Sequence, residues 1–312
     1  MSAFEDRAMG SPLRLTIGTV PPRASDGDRA WDTVVTSFEA SEAAMSRFRE
    51  TSELTMFNRM AGTGIVSRPS DRLRCALAAS DRAHRITGGR FDPRVLADLD
   101  RLGYRGAPMA PTSDHLPTAL EASSGQRVLS RFGRHGVSLS RPVDLGGIGK
   151  GLALRWSAAA LARDATTDFL LEAGGDLVAR GSDPAGGPWL VGIEDPAAAI
   201  DHLAVIAVVE SAVATSSIRV HQWSIDGREV HHLLDPRTGD PANGGLRSVT
   251  VAGPDPAWAE VWSKVLFIGG RQAIAGEARS RGLAAWWVAD DGTLEMTGAA
   301  RAMTTWVASE AD

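Results

Sequence analysis

Apolar and polar residues alternate along several short stretches of the chain, and apolar residues recur at helical spacing along a few longer ones. Alternation over residues 13–20 predicts a first strand. Apolar positions three and four residues apart predict helices over 28–49 and 256–268. Ser70 has the hydroxyl typical of an N-cap and Gly88 is a typical stop, so a further helix is predicted between them.

The remaining segments predict many strands and only a few additional helices. Residues 126–139 predict a hairpin, and residues 149–163 and 272–281 predict helices. The other predicted strands are 168–171, 177–180, 189–193, 203–209, 212–214, 221–225, 230–234, 248–252 and 284–289. Sequential strands interrupted by a few helices favour an α+β fold over a regular alternation of strand and helix. We therefore predict a single domain over 1–312, with a soft boundary between two lobes near residue 110.

Composition and charge narrow the class of protein. The apolar share of 43% and the charged share of 23% are normal for a globular chain with a buried core. A net charge of −5 provides no general attraction for nucleic acid or an anionic membrane. Cys75 is the single cysteine, which excludes an intrachain disulfide and a multi-cysteine metal site. Because residues 1–10 lack a secretory pattern and no apolar run is long enough to span a bilayer, we expect a cytoplasmic protein without a membrane anchor.

Lysine is rare in this chain. Of 33 basic residues, only Lys150 and Lys264 are lysines. A GC-rich genome would explain the many arginines. Arginine cannot replace lysine, however, where one compact and movable ammonium group is needed, so both lysines are candidate functional residues.

A glycine-rich turn over residues 143–151 is the first segment with candidate chemistry. A predicted strand ends at Asp144, a turn with three glycines follows, and a helix begins. Backbone N–H groups at such a helix start can face an anion, and glycine permits a ligand to approach closely. Lys150 adds a positive charge that suits phosphate. A plain strand–helix turn would explain the same residues, and neither the Walker spacing nor G-x-G-x-x-G is present.

Two later turns and one helix face carry further candidates. Gly174, Gly175 and Asp176 separate two predicted strands, which suits either a ligand-binding loop or an ordinary hairpin. The strand before the turn at residues 235–239 contains two adjacent histidines, which point to opposite faces, so at most one can face a given cleft. Glu260 lies four residues before the second lysine on one helix face, where an exposed ion pair is the structural alternative.

Taken in order, seven motifs resemble those of the FAD:protein FMN transferases, the ApbE family. They are Met9-Gly10-Ser11, Ser52 to Asn58, Gly89 to Val95, Asp144 to Gly151, Ala173 to Asp176, Ala214 to Ser217 and His232 to Pro241. The resemblance extends from about residue 9 to about residue 270. Seven motifs in this order are far more specific than any one of them.

The resemblance implies a two-lobed α+β fold with mixed and antiparallel sheets, flanking helices and FAD in a cleft between the lobes. The FAD contacts that it implies are Met9, Phe48, Arg90, Phe91, Asp92, Asp144, Lys150, Gly174, Gly175, Asp176, Thr215 and Leu234. Members join FMN through a phosphoester to a threonine or serine of an acceptor protein and release AMP. By its position, His232 is the candidate base. The alternatives are an FAD-binding protein without transfer and an FAD pyrophosphatase.

The late helix departs from the family pattern, in which an aspartate and a threonine bind Mg²⁺ together with a backbone carbonyl of the Asp-Leu-Gly-Gly turn. Here Glu260 stands for the aspartate, Ser263 for the middle position and Lys264 for the threonine. An ammonium group has no lone pair and repels Mg²⁺. Either Lys264 fills the cation position, contacting the pyrophosphate and pairing with Glu260, or it swings away. In the second case Glu260, Ser263 and the Gly147 carbonyl would bind Mg²⁺.

Overall fold

The computed structural model describes residues 2–18, 24–104, 130–133, 136–164, 166–225 and 227–308. These residues form two compact units. The first unit comprises Met1–Phe38, Lys150–Arg219 and Gly244–Asp312, and the second comprises Glu39–Gly149 and Val220–Asn243. The soft lobe boundary predicted near residue 110 lies outside the described residues.

The described secondary structure mixes short strands with a smaller number of helices. The helices are α1 (Ala24–Met45), α2 (Glu53–Met60), α3 (Asp71–Ile86), α4 (Leu96–Arg101), α5 (Gly149–Arg163), α6 (Pro256–Gly269), α7 (Arg271–Ser280) and α8 (Gly298–Arg301). The first nine strands are β1 (Ser2–Ala8), β2 (Ser11–Ile17), β3 (Ser130–Gly133), β4 (Gly136–Leu139), β5 (Phe169–Ala173), β6 (Asp176–Arg180), β7 (Trp189–Glu194), β8 (His202–Val208) and β9 (Ser211–Ser217). The others are β10 (Gln222–Ile225), β11 (Arg228–His231), β12 (Leu234–Asp235), β13 (Asp240–Pro241), β14 (Leu246–Gly253), β15 (Ala284–Ala289), β16 (Leu294–Met296) and β17 (Thr304–Val307).

An eight-stranded antiparallel sheet organises the first unit, in the order β1-β2-β5-β6-β9-β14-β15-β16. The strand predicted over 13–20 begins two residues earlier and is described only as far as Ile17 in this element. The edge strand β1 was not predicted, because its residues are half-buried or exposed and lack a clear apolar alternation. Pairing places Leu13 of β2 opposite Ala173 of β5, so the turns after β1 and after β5 lie at the same edge of the sheet.

Both faces of this sheet are covered. On one face, alternate residues of β2 and β5 pack with α1 and α5 around the fully buried Phe38 and Phe169. On the other face, Trp286 of β15 packs with apolar residues of the three-stranded sheet β17-β8-β7. Burial of each such side chain contributes about 1.5–3 kcal/mol. The sheet therefore has an apolar core on each of its two faces.

Helices α5 and α6 lie very close together at Gly151. A β-carbon built at this position would lie 2.5 Å from Ala257 Cα and 2.5 Å from the Pro256 carbonyl oxygen. Both neighbours are backbone atoms, so no side-chain rotation can relieve the overlap. Glycine at residue 151 is therefore required for the packing of the two helices.

We expect Gly151→Ala to lower the free energy of unfolding by about 1–3 kcal/mol, the usual cost of overpacking a buried contact. Gly276 is the matched control, because it lies in the exposed middle of α7 and a β-carbon there meets nothing within 4 Å. Gly276→Ala should stabilise the protein by about 0.5–1 kcal/mol through helix propensity. Urea unfolding of both variants measures the two effects, and equal midpoints would contradict the close approach.

The second unit contains α2, α3, α4 and three two-stranded hairpins. The Ser70 N-cap is confirmed, since its hydroxyl accepts a hydrogen bond from the Leu73 N–H and α3 ends at Ile86. The predicted hairpin over 126–139 is described as β3 paired with β4, and its remaining residues lie outside the described ranges. The single strand predicted over 230–234 is wrong. The chain leaves β11 at His231 and pairs again in β12 with β13.

Within residues 2–18, 24–104, 130–133, 136–164, 166–225 and 227–308, no helix combines the length and the apolar character needed to cross a bilayer.

Candidate active site

Two glycine turns meet at one edge of the large sheet in the first unit. Met9 and Gly10, between β1 and β2, have φ angles of 50° and 74°, and Gly174 and Gly175, between β5 and β6, have 60° and 88°. A β-carbon built on Gly174 would lie 2.6 Å from the Ser11 hydroxyl. Residues 173–176 form a hairpin turn. A side chain at Gly174 would overlap with Ser11, so this position requires glycine. Left-handed backbone at a methionine is uncommon, and such residues are often found at ligand sites.

Lys150 extends from the first turn of α5 to this edge. Its ammonium group forms an ion pair with Asp176, and its Nζ lies 3.8 Å from Glu260 Oε1. Its Cδ is 3.9 Å from a β-carbon built on Gly174, so the side chain runs beside the second glycine turn. The other carboxylate oxygen of Asp176 accepts a hydrogen bond of 3.0 Å from the N–H of the exposed Thr215. Lys150, Asp176, Thr215 and Glu260 therefore come from four separate segments of the sequence and lie around one ion pair.

Glu260 is buried in α6, with 2% of its surface exposed. Its Oε2 accepts a hydrogen bond of 2.8 Å from the Gly151 N–H. Burial raises the pKa of Glu260 to about 7, and the nearby Lys150 and Lys264 ammonium groups partly oppose that rise. The alternative interpretation of Glu260 and Lys264 as an exposed ion pair is wrong, because the Glu260 carboxylate is buried.

The raised pKa of Glu260 predicts a pH-dependent stability. Between its ordinary value of 4.5 and about 7, the folded state holds a proton that the unfolded state has released. Stability should therefore fall as pH rises through this window, by on the order of 3 kcal/mol at about 1.4 kcal/mol per unit of pKa shift. Glu260→Gln should flatten the profile, whereas Glu39→Gln, an exposed control, should leave it unchanged. Urea unfolding at several pH values checks this, and identical profiles would contradict the buried carboxyl group.

The residues around Glu260 do not fit Mg²⁺. Ser263 is 1% exposed, and its hydroxyl donates a hydrogen bond of 3.0 Å to the Glu260 carbonyl and shares one of 2.9 Å with the Ser216 hydroxyl. The charges of two lysines act on the carboxylate that would bind the metal. Among the residues that the structure describes, no group of three or more histidine, cysteine, aspartate and glutamate side chains could hold a metal ion. Gly147, the remaining candidate ligand, belongs to the second unit.

The second unit contains a stack of aromatic rings around Tyr104. Trp223 and His232 each stack with Tyr104, at ring-centroid distances of 5.6 Å and 5.7 Å. His221 meets His232 edge-on at 4.9 Å. His231 has a different partner, the Ala242 carbonyl at 3.2 Å from its Nε2, so the neighbouring imidazoles have separate environments, as the strand geometry predicts. Of this stack the sequence singled out the histidines and missed Tyr104 and Trp223, although a lone tyrosine is a usable signal.

Arg47 connects Phe48 with Asp144. Its side chain is 8% exposed, its Nε lies 2.5 Å from Asp144 Oδ2, and its guanidinium carbon lies 4.2 Å from the centre of the Phe48 ring. It also lies 5.3 Å from the centre of the Tyr104 ring. Phe48 itself is 54% exposed. Sequence reasoning missed Arg47, because arginine is the common basic residue of this chain.

Four other predicted FAD contacts lie in the second unit, and three of them are buried there. Phe91 is 4% exposed, its N–H donates to the Thr87 hydroxyl, and its carbonyl lies 3.1 Å from His84 Nδ1. Asp92 forms a bidentate ion pair with Arg94. The remaining predicted contacts in this unit are Leu234, which is buried in β12, and the half-buried Arg90. Phe91, Asp92 and Leu234 therefore have structural roles within this unit. Contact between these residues and FAD stays a prediction.

Comparison with known proteins identifies the family. An FAD:protein FMN transferase of Klebsiella pneumoniae is 27% identical over 303 residues, which cover 93% of this chain and 85% of that protein. The protein of the same description from Escherichia coli is 26% identical over 302 residues, covering 94% and 85%. The flavin transferase ApbE from Vibrio cholerae has a TM-score of 0.82 at 24% identity, over 97% of this chain and 98% of that one. The ApbE protein from Thermotoga maritima has a TM-score of 0.83 at 24% identity, over 98% and 99%.

These similarities extend over nearly the whole chain. The two solved structures confirm the expected α+β fold of the ApbE type. The family model described as ApbE family matches residues 9–287, slightly more than the stretch indicated by the seven motifs. The chain therefore belongs to the ApbE family.

Proposed function

We propose that this protein transfers FMN from FAD to a serine or threonine hydroxyl of an acceptor protein. The hydroxyl oxygen attacks the phosphorus of the FMN moiety, the bond from that phosphorus to the bridging oxygen breaks, and AMP leaves with that oxygen. The hydroxyl proton passes to His232. The observation that carries the proposal is the position of Lys150. Its side chain runs beside the glycine turn at Gly174, and its ammonium group pairs with Asp176, whose other carboxylate oxygen accepts a hydrogen bond from the Thr215 N–H.

In this proposal the first unit binds the diphosphate of FAD. Phosphoryl transfer depends mainly on positioning and on positive charge near the phosphate oxygens. Lys150 supplies that charge, and Asp176 holds the ammonium in place. The turn at Gly174 and Gly175 carries no side chains, so phosphate oxygens can approach its backbone.

In the second unit, the aromatic residues suit a flavin ring. Phe48 presents an exposed ring that lies against the Arg47 guanidinium, and aromatic faces are common in pockets for planar cofactors. His232 stacks on Tyr104, which restricts the plane of its imidazole ring. A base must lie within hydrogen-bonding reach of the proton that it removes, so a fixed imidazole favours this role.

Mass spectrometry tests the proposal directly. The protein is mixed with FAD and a purified flavoprotein domain that has an exposed threonine acceptor, and the products are weighed. A covalent gain equal to FMN, lost when that threonine is replaced by alanine, supports transfer. Release of free FMN and AMP without a covalent product would instead establish an FAD pyrophosphatase, and intact FAD would establish binding alone. Because the usual acceptor motif of the family is missing from this sequence, we expect no labelling of the protein itself.

A further inference from the structure

The chain has only two lysines, and both act on the same buried carboxylate. Lys150 Nζ lies 3.8 Å from Glu260 Oε1. Lys264 lies one helical turn after Glu260 on α6, is half-buried, and its charge opposes the rise in the Glu260 pKa. The other 31 of the 33 basic residues are arginines, which leaves this cluster as the place where compact ammonium groups are used.

The charges of this cluster balance without a metal ion. Lys150 and Lys264 contribute two positive charges, and Asp176 and Glu260 contribute two negative ones when both are ionised. A divalent cation at Glu260 would be repelled by the ammonium groups of both lysines, and the repulsion is twice as strong for a dication as for a single positive charge. The two lysines therefore disfavour a metal ion at this carboxylate.

We propose that the ammonium groups of Lys150 and Lys264 together replace the divalent cation at this site, so that the protein binds the diphosphate of FAD without Mg²⁺. The proposal rests on the proposed function in that FAD is the ligand. Ammonium groups donate hydrogen bonds directly to phosphate oxygens, so no metal ion is needed between the protein and the diphosphate. Lys150 is paired with Asp176 and belongs to α5, whereas Lys264 belongs to α6, so in this proposal the two groups contact the diphosphate from different elements.

Equilibrium titration with FAD, read by flavin fluorescence, tests the metal requirement. The wild-type dissociation constant in EDTA and in millimolar Mg²⁺ should agree within about twofold. Lys264→Thr, which restores an oxygen ligand, should lose about tenfold in affinity in EDTA and recover it with Mg²⁺, because the variant lacks the charge-assisted hydrogen bond to the diphosphate. Lys264→Met is the matched control, because it removes the charge without adding a ligand. It should lose the same affinity and not respond to Mg²⁺.

Direct metal binding gives a second measurement that needs neither transfer nor acceptor. Titration with Mn²⁺, followed by electron paramagnetic resonance in the presence of FAD, should detect no tight site in the wild type and one site in Lys264→Thr. Thermal unfolding confirms that each variant is folded. Tight Mn²⁺ binding by the wild type, an affinity for FAD that needs Mg²⁺, or unchanged metal-free affinity in Lys264→Met would each overturn the inference while leaving the proposed function intact. Absence of FAD uptake in both buffers would overturn the proposed function and this inference together.

Discussion

Replacing His232 by asparagine should lower the rate of FMN transfer by about 10²- to 10⁴-fold, the usual contribution of a positioned general base. The affinity for FAD should change little, because the diphosphate contacts proposed here involve the first unit. Single-turnover transfer, measured with saturating FAD and acceptor, separates the chemical step from binding.

His231 provides the matched control for this prediction. It is the preceding residue, but its Nε2 lies 3.2 Å from the Ala242 carbonyl, and burial lowers its pKa. His231→Asn should therefore lower the stability somewhat and keep the transfer rate within about tenfold of the wild type. This decrease is much smaller than the one expected when a general base is removed. A His232→Asn variant that retains the wild-type rate would show that another group accepts the proton.

Features set by a few neighbouring residues were predicted well from the sequence. Helix α5 has the predicted bounds of 149–163, and the Ser70 cap forms as its hydroxyl suggested. The hairpin turn at Gly174 and Gly175 follows from the left-handed conformations that glycine tolerates. In each case the determining contact is local, so the pattern of residue types contains the information.

Contacts between distant residues were predicted less well. Arg47 and Asp144 are 97 positions apart, and Tyr104 and His232 are 128 apart, and no periodicity connects either pair. The burial of Glu260 is indicated by the residue pattern of α6. Helix α6 carries buried residues around its whole circumference, and a helix apolar on all sides lies inside a protein. That pattern excludes an exposed ion pair and would have shown that the charge of Glu260 needs partners within the core.

Replacing Lys150 by methionine should lower the free energy of unfolding by about 3 kcal/mol, near the lower end of the 3–5 kcal/mol typical of a broken buried ion pair. The side chain of Asp176 is 3% exposed, and without the ammonium group its charge loses the ion-pair partner. The loss should lie at the lower end because Lys150 is 24% exposed, so water screens part of the interaction. Urea unfolding near neutral pH measures the change, and FAD affinity should fall with it.

A double variant tests whether the unpaired charge of Asp176 causes this loss of stability. Asp176→Asn removes the stranded charge, and its amide oxygen can still accept the hydrogen bond from the Thr215 N–H. If the cost of Lys150→Met arises from the unpaired carboxylate, the double variant should regain at least about 1 kcal/mol relative to Lys150→Met, as expected for coupled neighbours. Its FAD affinity should remain low, because the ammonium group is still missing. Additive losses of stability would show that the unpaired charge of Asp176 is not the cause of the loss in Lys150→Met.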